Sequence, residues 1–140
     1  MDRDGVAAQL GELALFADLS WPELERVAHT FDEEAFEPGR RVLRQGLSGS
    51  ALYVILDGSA TVHLDDKEEG RRLGRGEFFG EISALTGEAP NADVVAAAFL
   101  RCLVVPAPEL DDFLLEHPAV LLRMLKVEVR RLRQAELTEQ

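Results

Sequence analysis

The sequence predicts an α+β fold, mainly β: a β-roll of jelly-roll type set between N-terminal helices and two C-terminal helices. Three observations predict it. Helical spacing occupies residues 5–30 and 107–137, at the two ends of the chain. Between them, residues 33–106 carry short β-branched or alternating runs separated by glycine signals, the pattern of a small β-barrel or jelly roll. A single apolar insert, residues 81–87, breaks that β pattern. With 140 residues, 46% of them hydrophobic, the chain reads as one domain over residues 1–140, able to bury a core.

The N-terminal zone starts with an apolar face at Leu10, Leu13, Leu15 and Phe16. Ser20 then precedes Trp21-Pro22-Glu23. Serine as N-cap, proline in the first turn and glutamate three residues on make a capping box, so a helix starts here. Leu24, Val27, Ala28 and Phe31 follow at helical spacing.

In the middle zone, strands are expected at Arg41–Arg44, Ala51–Leu56, Ala60–Leu64, Ala92–Ala98 and Leu100–Val105. Asp57-Gly58 lies between two apolar runs and predicts a hairpin. Residues 65–70, DDKEEG, predict a second, charged hairpin tip. Tyr53, Phe78 and Phe79 are expected in the core.

In the C-terminal zone, Pro108 opens a helix that His117-Pro118 ends. A longer helix follows over about 119–136. Its stripe Leu121, Leu122, Leu125, Val129, Leu132 is a packing seam, either against the domain itself or against a second copy of this helix.

Charge and cysteine usage exclude several function classes. The net charge of −11 repels nucleic acid and acidic membrane surfaces. Arg123, Lys126, Arg130, Arg131 and Arg133 cluster on the last helix and read as a solvated face. No run is long enough to span a membrane. The acidic start lacks the basic region of a secretory signal. The single cysteine, Cys102, reads as a buried strand thiol, which fits a cytoplasmic protein without disulfides. His29, His63 and His117 show no metal spacing. Gly46–Ser50 lacks the second glycine of a nucleophile elbow, and Phe79 stands where a dinucleotide fingerprint needs its third glycine. No catalytic constellation remains, so the chain is expected not to be an enzyme and to need no cofactor.

The insert carries the functional signal. Residues 78–96 read FFGEISALTGEAPNADVVA: two aromatics, Gly80-Glu81, a short apolar turn, and a Gly/Pro/Asn loop into Val94-Val95. A helix start opened by glycine presents free N–H groups and a positive dipole end to an anion such as phosphate.

Several spacings together resemble the cyclic-nucleotide-binding domain family of the catabolite activator proteins and cAMP-dependent kinase regulatory subunits. The carriers are Pro38-Gly39 before a strand, Gly46 closing it, LYVILDG at 52–58 and GRGEFFGEISALTGE at 74–88. The resemblance covers roughly residues 12–135 and implies an eight-stranded roll, a short cassette helix and a cAMP or cGMP ligand. It implies that Gly80 contacts the ligand through its N–H and that Glu81 accepts from the ribose 2′-hydroxyl. Ile82, Ser83, Asn91 and Ala92 complete the implied site. The family's cassette is similar to FGE-(Leu/Ile)-(Ala/Ser)-Leu-Leu-x-Gly-x-Pro-Arg-(Ser/Ala)-Ala-x-Val, and its phosphate-pairing arginine falls on Pro90. No Lys or Arg lies between Arg75 and Arg101. The chain therefore binds cyclic nucleotide weakly, recruits a distant arginine such as Arg72 or Arg75, or has stopped using this ligand. Two functions follow: a regulatory sensor domain with weak cAMP or cGMP affinity, or a nucleotide-independent protein-interaction module on the same fold. Each needs a protein partner that the sequence does not name, and the last helix offers a homodimer contact.

Overall fold

The structure, a computed structural model, describes residues 3–46, 50–64 and 70–139, with side chains to residue 136. Helices α1 (Arg3–Gly11) and α2 (Trp21–Thr30) are joined by a 3-10 turn at Ala14–Phe16. Eight strands follow: β1 (Asp32–Phe36), β2 (Arg41–Leu43), β3 (Ala51–Asp57), β4 (Ala60–Leu64), β5 (Arg71–Leu73), β6 (Phe78–Phe79), β7 (Ala92–Ala96) and β8 (Leu100–Pro106). Helix α3 (Glu81–Thr86) lies between β6 and β7, and α4 (Ala107–Glu116) and α5 (Pro118–Glu139) close the chain. The α+β roll expected from the sequence is the observed architecture.

The capping box at α2 forms as expected. Ser20 Oγ accepts from the Glu23 N–H at 3.3 Å, and Glu23 accepts from the Ser20 N–H at 3.0 Å. These bonds, backbone first, hold the Glu23 carboxyl below the usual carboxylate range.

The strands form two antiparallel sheets of four, in the orders β1-β8-β3-β6 and β2-β7-β4-β5. The first sheet is the middle layer. One of its faces packs the helices through Leu52, Val54, Leu56, Leu103 and Val105, with Phe113 edge-on to Phe16 and Phe31. Its other face closes the roll through Ile55, Leu100 and Cys102 against Leu73, Val94 and Ala96 of the second sheet. Burial on both faces explains why β3 and β8 read as continuous apolar runs without alternation.

Some sequence expectations need correction. Asp57-Gly58 is not a hairpin tip: β3 belongs to the first sheet and β4 to the second, so the chain changes sheet there. Gly58 has φ 87°, and a Cβ on it would sit 2.0 Å from the Phe99 carbonyl oxygen, so glycine is required for a crossing. The charged hairpin is real, since β4 pairs with β5, although its tip at 65–69 lies outside the described residues, as does Gly49. Strand β1, DEEAF, carries no apolar alternation, yet it pairs with β8 over its whole length. Arg101 of β8 forms an ion pair with Glu33 there, both side chains being largely buried. Strands β5 and β6 are further elements beyond those expected.

Candidate functional site

The site is assembled from β6, α3, the loop to β7, and α5. Strand β6 pairs with β3, and Phe79 stacks on Tyr53 with ring centroids 4.9 Å apart. Gly80 then turns the chain into α3 with φ 84°. A Cβ at Gly80 would lie 2.3 Å from the Ala51 carbonyl oxygen and 3.2 Å from Tyr53 Cδ2. Only glycine combines that conformation with that approach. Gly87, with φ 77°, ends the helix, its N–H donating to Ser83 O at 2.9 Å. Helix α3 packs on β3 and α4.

The first turn of α3 is unusually polar for a buried position. Glu81 is 5% exposed and Ser83 is 4% exposed. Glu81 is held from α5: Arg131 Nη1 donates to Glu81 Oε1 at 3.0 Å and to Glu128 Oε1 at 3.3 Å. Arg131 Nη2 donates to the Phe78 carbonyl at 2.6 Å, and its guanidinium sits 4.5 Å from the centre of the Phe78 ring. One arginine thus ties α5 to the end of β6 and the start of α3. Burial, and then the neighbouring Glu128 carboxylate, push the Glu81 carboxyl up to about 7, with Arg131 opposing them.

The expected site residues fall into two groups. Gly80, Glu81, Ile82 and Ser83 open α3, with Ile82 half exposed. Asn91 precedes and Ala92 begins β7 in the other sheet, where Ala92 is buried opposite Leu64 and Asn91 is exposed. Pro90 precedes them and is buried. Its carbonyl accepts from the Gly46 N–H at 2.9 Å. Beside it, the Gln45 N–H donates to Asp93 Oδ1 at 2.7 Å, and Arg41 Nε lies 3.8 Å from Asp93 Oδ2. This end of the loop is fixed by the turn after β2, and proline supplies no N–H of its own.

The arginines are arranged differently from the sequence expectation. Arg72 donates to Ser59 Oγ at 3.1 Å, and Arg75 pairs with Glu12. Neither is paired to the cassette. The solvated-face reading of the α5 cations fails at Arg131, whose side chain is 15% exposed. Arg71, on β5, is the other nearby cation. Partial desolvation and then Arg131 hold it below the ordinary arginine value, while Glu77, Glu81 and Glu128 raise it. A cleft of about 670 Å3 runs past these side chains between α5, the 3-10 turn and β5–β6, lined by Leu15, Arg71, Phe78, Lys126, Arg130 and Arg131 among others. Gly80, Glu81 and Ser83 do not line it.

Helix α5 buries Val120 and Met124 against the domain. The stripe Leu121, Leu122, Leu125, Val129, Leu132 is 41–62% exposed, so it is not a seam against its own roll. Among the described residues, no cluster of His, Cys, Asp or Glu could hold a metal ion, and no helix is long and apolar enough to cross a membrane.

The two four-stranded sheets, with a glycine-opened helix and a buried glutamate between β6 and β7, define a β-roll domain with a helical insert. The model of the cyclic nucleotide-binding domain family matches residues 33–117, and the chain belongs to that family. A cGMP-dependent protein kinase from Plasmodium berghei is 30% identical over 131 residues, covering 94% of this chain and 15% of the kinase. The catabolite activator protein of Thermus thermophilus is 27% identical with a TM-score of 0.75, over 89% of this chain and 60% of that one. The regulatory subunit of a cAMP-independent protein kinase A from Trypanosoma brucei shares the fold with a TM-score of 0.81 at 24% identity, over 99% of this chain and 50% of that one. This chain therefore spans less than two thirds of each of these proteins.

Proposed function

We propose that residues 1–140 act as one non-catalytic regulatory domain, a sensor that takes cAMP or cGMP weakly at Gly80, Glu81, Ile82, Ser83, Asn91 and Ala92. Glu81 accepts from the ribose 2′-hydroxyl, and backbone N–H groups beside it face the phosphate. The observation that carries the reading is the pairing of a retained, buried Glu81 with a buried Pro90. A buried carboxylate held by Arg131 is a ready acceptor for sugar hydroxyls. Pro90 offers no charge-assisted partner, and a missing arginine–phosphate pair costs about 1.5–3 kcal/mol, roughly ten- to a hundredfold in affinity. Arg131 links this pocket to α5, so occupancy at Glu81 is felt by the helix that would carry the output. The protein works in the cytoplasm without a cofactor, and its charge of −11 turns it away from nucleic acid and membrane surfaces.

Calorimetric titration with cAMP and cGMP tests the reading. Micromolar to high-micromolar binding that Glu81→Ala abolishes supports it, and no heat at millimolar ligand overturns it. The exposed stripe on α5 favours a second reading, a nucleotide-independent interaction module. Leu122, Leu125, Val129 and Leu132 are each 50–62% exposed at steps of three and four, which suits a homodimer through α5.

A further inference from the structure

We infer that the cleft between α5, the 3-10 turn and β5–β6 is a binding site of its own, for a small organic anion: one carboxylate, sulfonate or phosphate group on a compact apolar body. The inference is independent of the nucleotide reading, since Gly80, Glu81 and Ser83 do not line this cleft. Its volume of about 670 Å3 is that of a small-molecule site. Helix α5 turns one face into it. Arg123, Lys126, Val127, Arg130 and Arg131 recur at steps of three and one, the spacing of a single helical face. The facing wall brings Leu15 and Asp18 from around the 3-10 turn, Arg71 from β5, Glu77 from just before β6 and Phe78 from within it.

The first argument is charge. Five cations and two carboxylates line the cleft, in a chain whose net charge is −11. The local sign is therefore opposite to that of the whole. Arg123 is paired with Asp18 at 2.8 Å, and Arg131 with Glu81 and Glu128. Lys126 and Arg130 are exposed, and among the described residues their side chains have no ion pair or hydrogen bond. They stand four residues apart on one helix, where like charges repel. Arg71 is likewise opposed by Arg131, in addition to its partial desolvation. An anion between these groups eases both repulsions and gains charge-assisted hydrogen bonds.

The second argument is the lining between the charges. Leu15 and Phe78 are 6% and 2% exposed, and Val127 is half-buried, so the inner surface is apolar. A bare inorganic ion leaves that surface wet, whereas an aromatic or acyl body covers it. Scale and field select a free small molecule as the occupant. A polyanion, such as an acidic membrane surface or a nucleic acid, meets the repulsion of the whole chain; one small anion meets only the cleft. Once bound, it touches α5 on one side and the 3-10 turn with β5–β6 on the other, so it ties the last helix to the roll.

The test is a fluorescence titration with 1-anilinonaphthalene-8-sulfonate, an anion on an aromatic body, beside its uncharged counterpart N-phenyl-1-naphthylamine. The wild type is expected to bind the sulfonate at one site with a Kd on the order of 10–100 μM, about tenfold or more tighter than the uncharged amine. Raising salt to about 0.5 M is expected to weaken only the sulfonate. Lys126→Gln with Arg130→Gln should weaken the sulfonate about tenfold or more and leave the amine unchanged. Arg44→Gln with Arg133→Gln removes the same charge from exposed positions outside the cleft and should leave both dyes unchanged. Sulfonate affinity that is equal in the wild type and in Lys126→Gln/Arg130→Gln overturns the inference. So does an equal loss in both double variants, because the effect then belongs to net charge and not to the cleft. An uncharged amine that binds the wild type as tightly as the sulfonate overturns it too, and this arm needs no variant to fold. Co-sedimentation of the wild type with phosphatidylglycerol vesicles that Lys126→Gln/Arg130→Gln abolishes makes a membrane the occupant, and likewise overturns it.

Discussion

Glu81→Gln separates the titration of this carboxyl from everything else in the domain. In the folded state Glu81 protonates near pH 7, chiefly because burial disfavours the charged form. In the unfolded chain it protonates near the ordinary glutamate value of 4.5. Between those two values the folded state holds a proton that the unfolded state has released. Stability therefore falls with rising pH across that window: the stabilisation is full below 4.5 and is lost as pH rises through about 7. At about 1.36 kcal/mol per unit, the gap corresponds to about 3 kcal/mol in all, with about 2 kcal/mol of it between pH 5.5 and 7. That part of the range lies above the isoelectric point of about 4.7, where solubility is better. Glutamine keeps the shape, still accepts from Arg131, and does not titrate. Urea unfolding of both proteins from pH 5.5 to 8 reads the effect as the difference between them, which cancels the other titrating groups. The wild type is expected to lose about 2 kcal/mol relative to Glu81→Gln as pH rises. A difference that stays flat within about 0.5 kcal/mol would refute the claim that Glu81 is buried and only partly compensated by Arg131.

Three further outcomes follow from other parts of the site. Pro90→Arg restores a charge-assisted partner and is expected to raise cAMP affinity by roughly ten- to a hundredfold in a calorimetric titration; unchanged affinity would mean that position 90 does not face the phosphate. Gly80→Ala places a methyl 2.3 Å from the Ala51 carbonyl oxygen at φ 84°. The left-handed conformation alone costs about 1–2 kcal/mol, so a lower urea midpoint is expected, and a wild-type midpoint would show that the turn into α3 is not as tight as described. Leu125→Glu with Val129→Glu sits on an exposed face, so it should leave the melting temperature within a degree or two while converting any dimer to monomer in sedimentation; a wild-type sedimentation profile of a dimer would move the contact elsewhere.

What could be read from the sequence was local. Ser20 with Glu23, Gly80 with Glu81, and Gly87 are decided by bonds and dihedral angles within a few residues, so composition and spacing reveal them. Asp57-Gly58 shows the limit of such signals. The glycine marks a sharp change of direction, but the sheet that the next strand joins is settled by the distant partners β7 and β8. Strand β1 escaped notice because its acidic residues are carried by pairing with β8 and by Arg101, 68 positions from Glu33.

The same limit applies to the site, and there it has a functional consequence. That residue 90 is a proline and not a cation is visible in the sequence. The cation at position 131, 50 positions from Glu81, is not, because on its own helix it is one of several basic residues and its near neighbour Glu128 suggests only a surface pair. Folding takes that single guanidinium off the surface and spends it on a carboxylate, a carbonyl and an aromatic ring. The arginine at 131 is aimed at the protein's own Glu81, which it orients and whose charged form it favours. The start of the cassette helix is thus fixed from a helix far along the chain, by a cation that the spacing of residues 78–96 does not reveal. That link between α5 and the start of α3 runs through Arg131, which reaches both Glu81 and the Phe78 carbonyl.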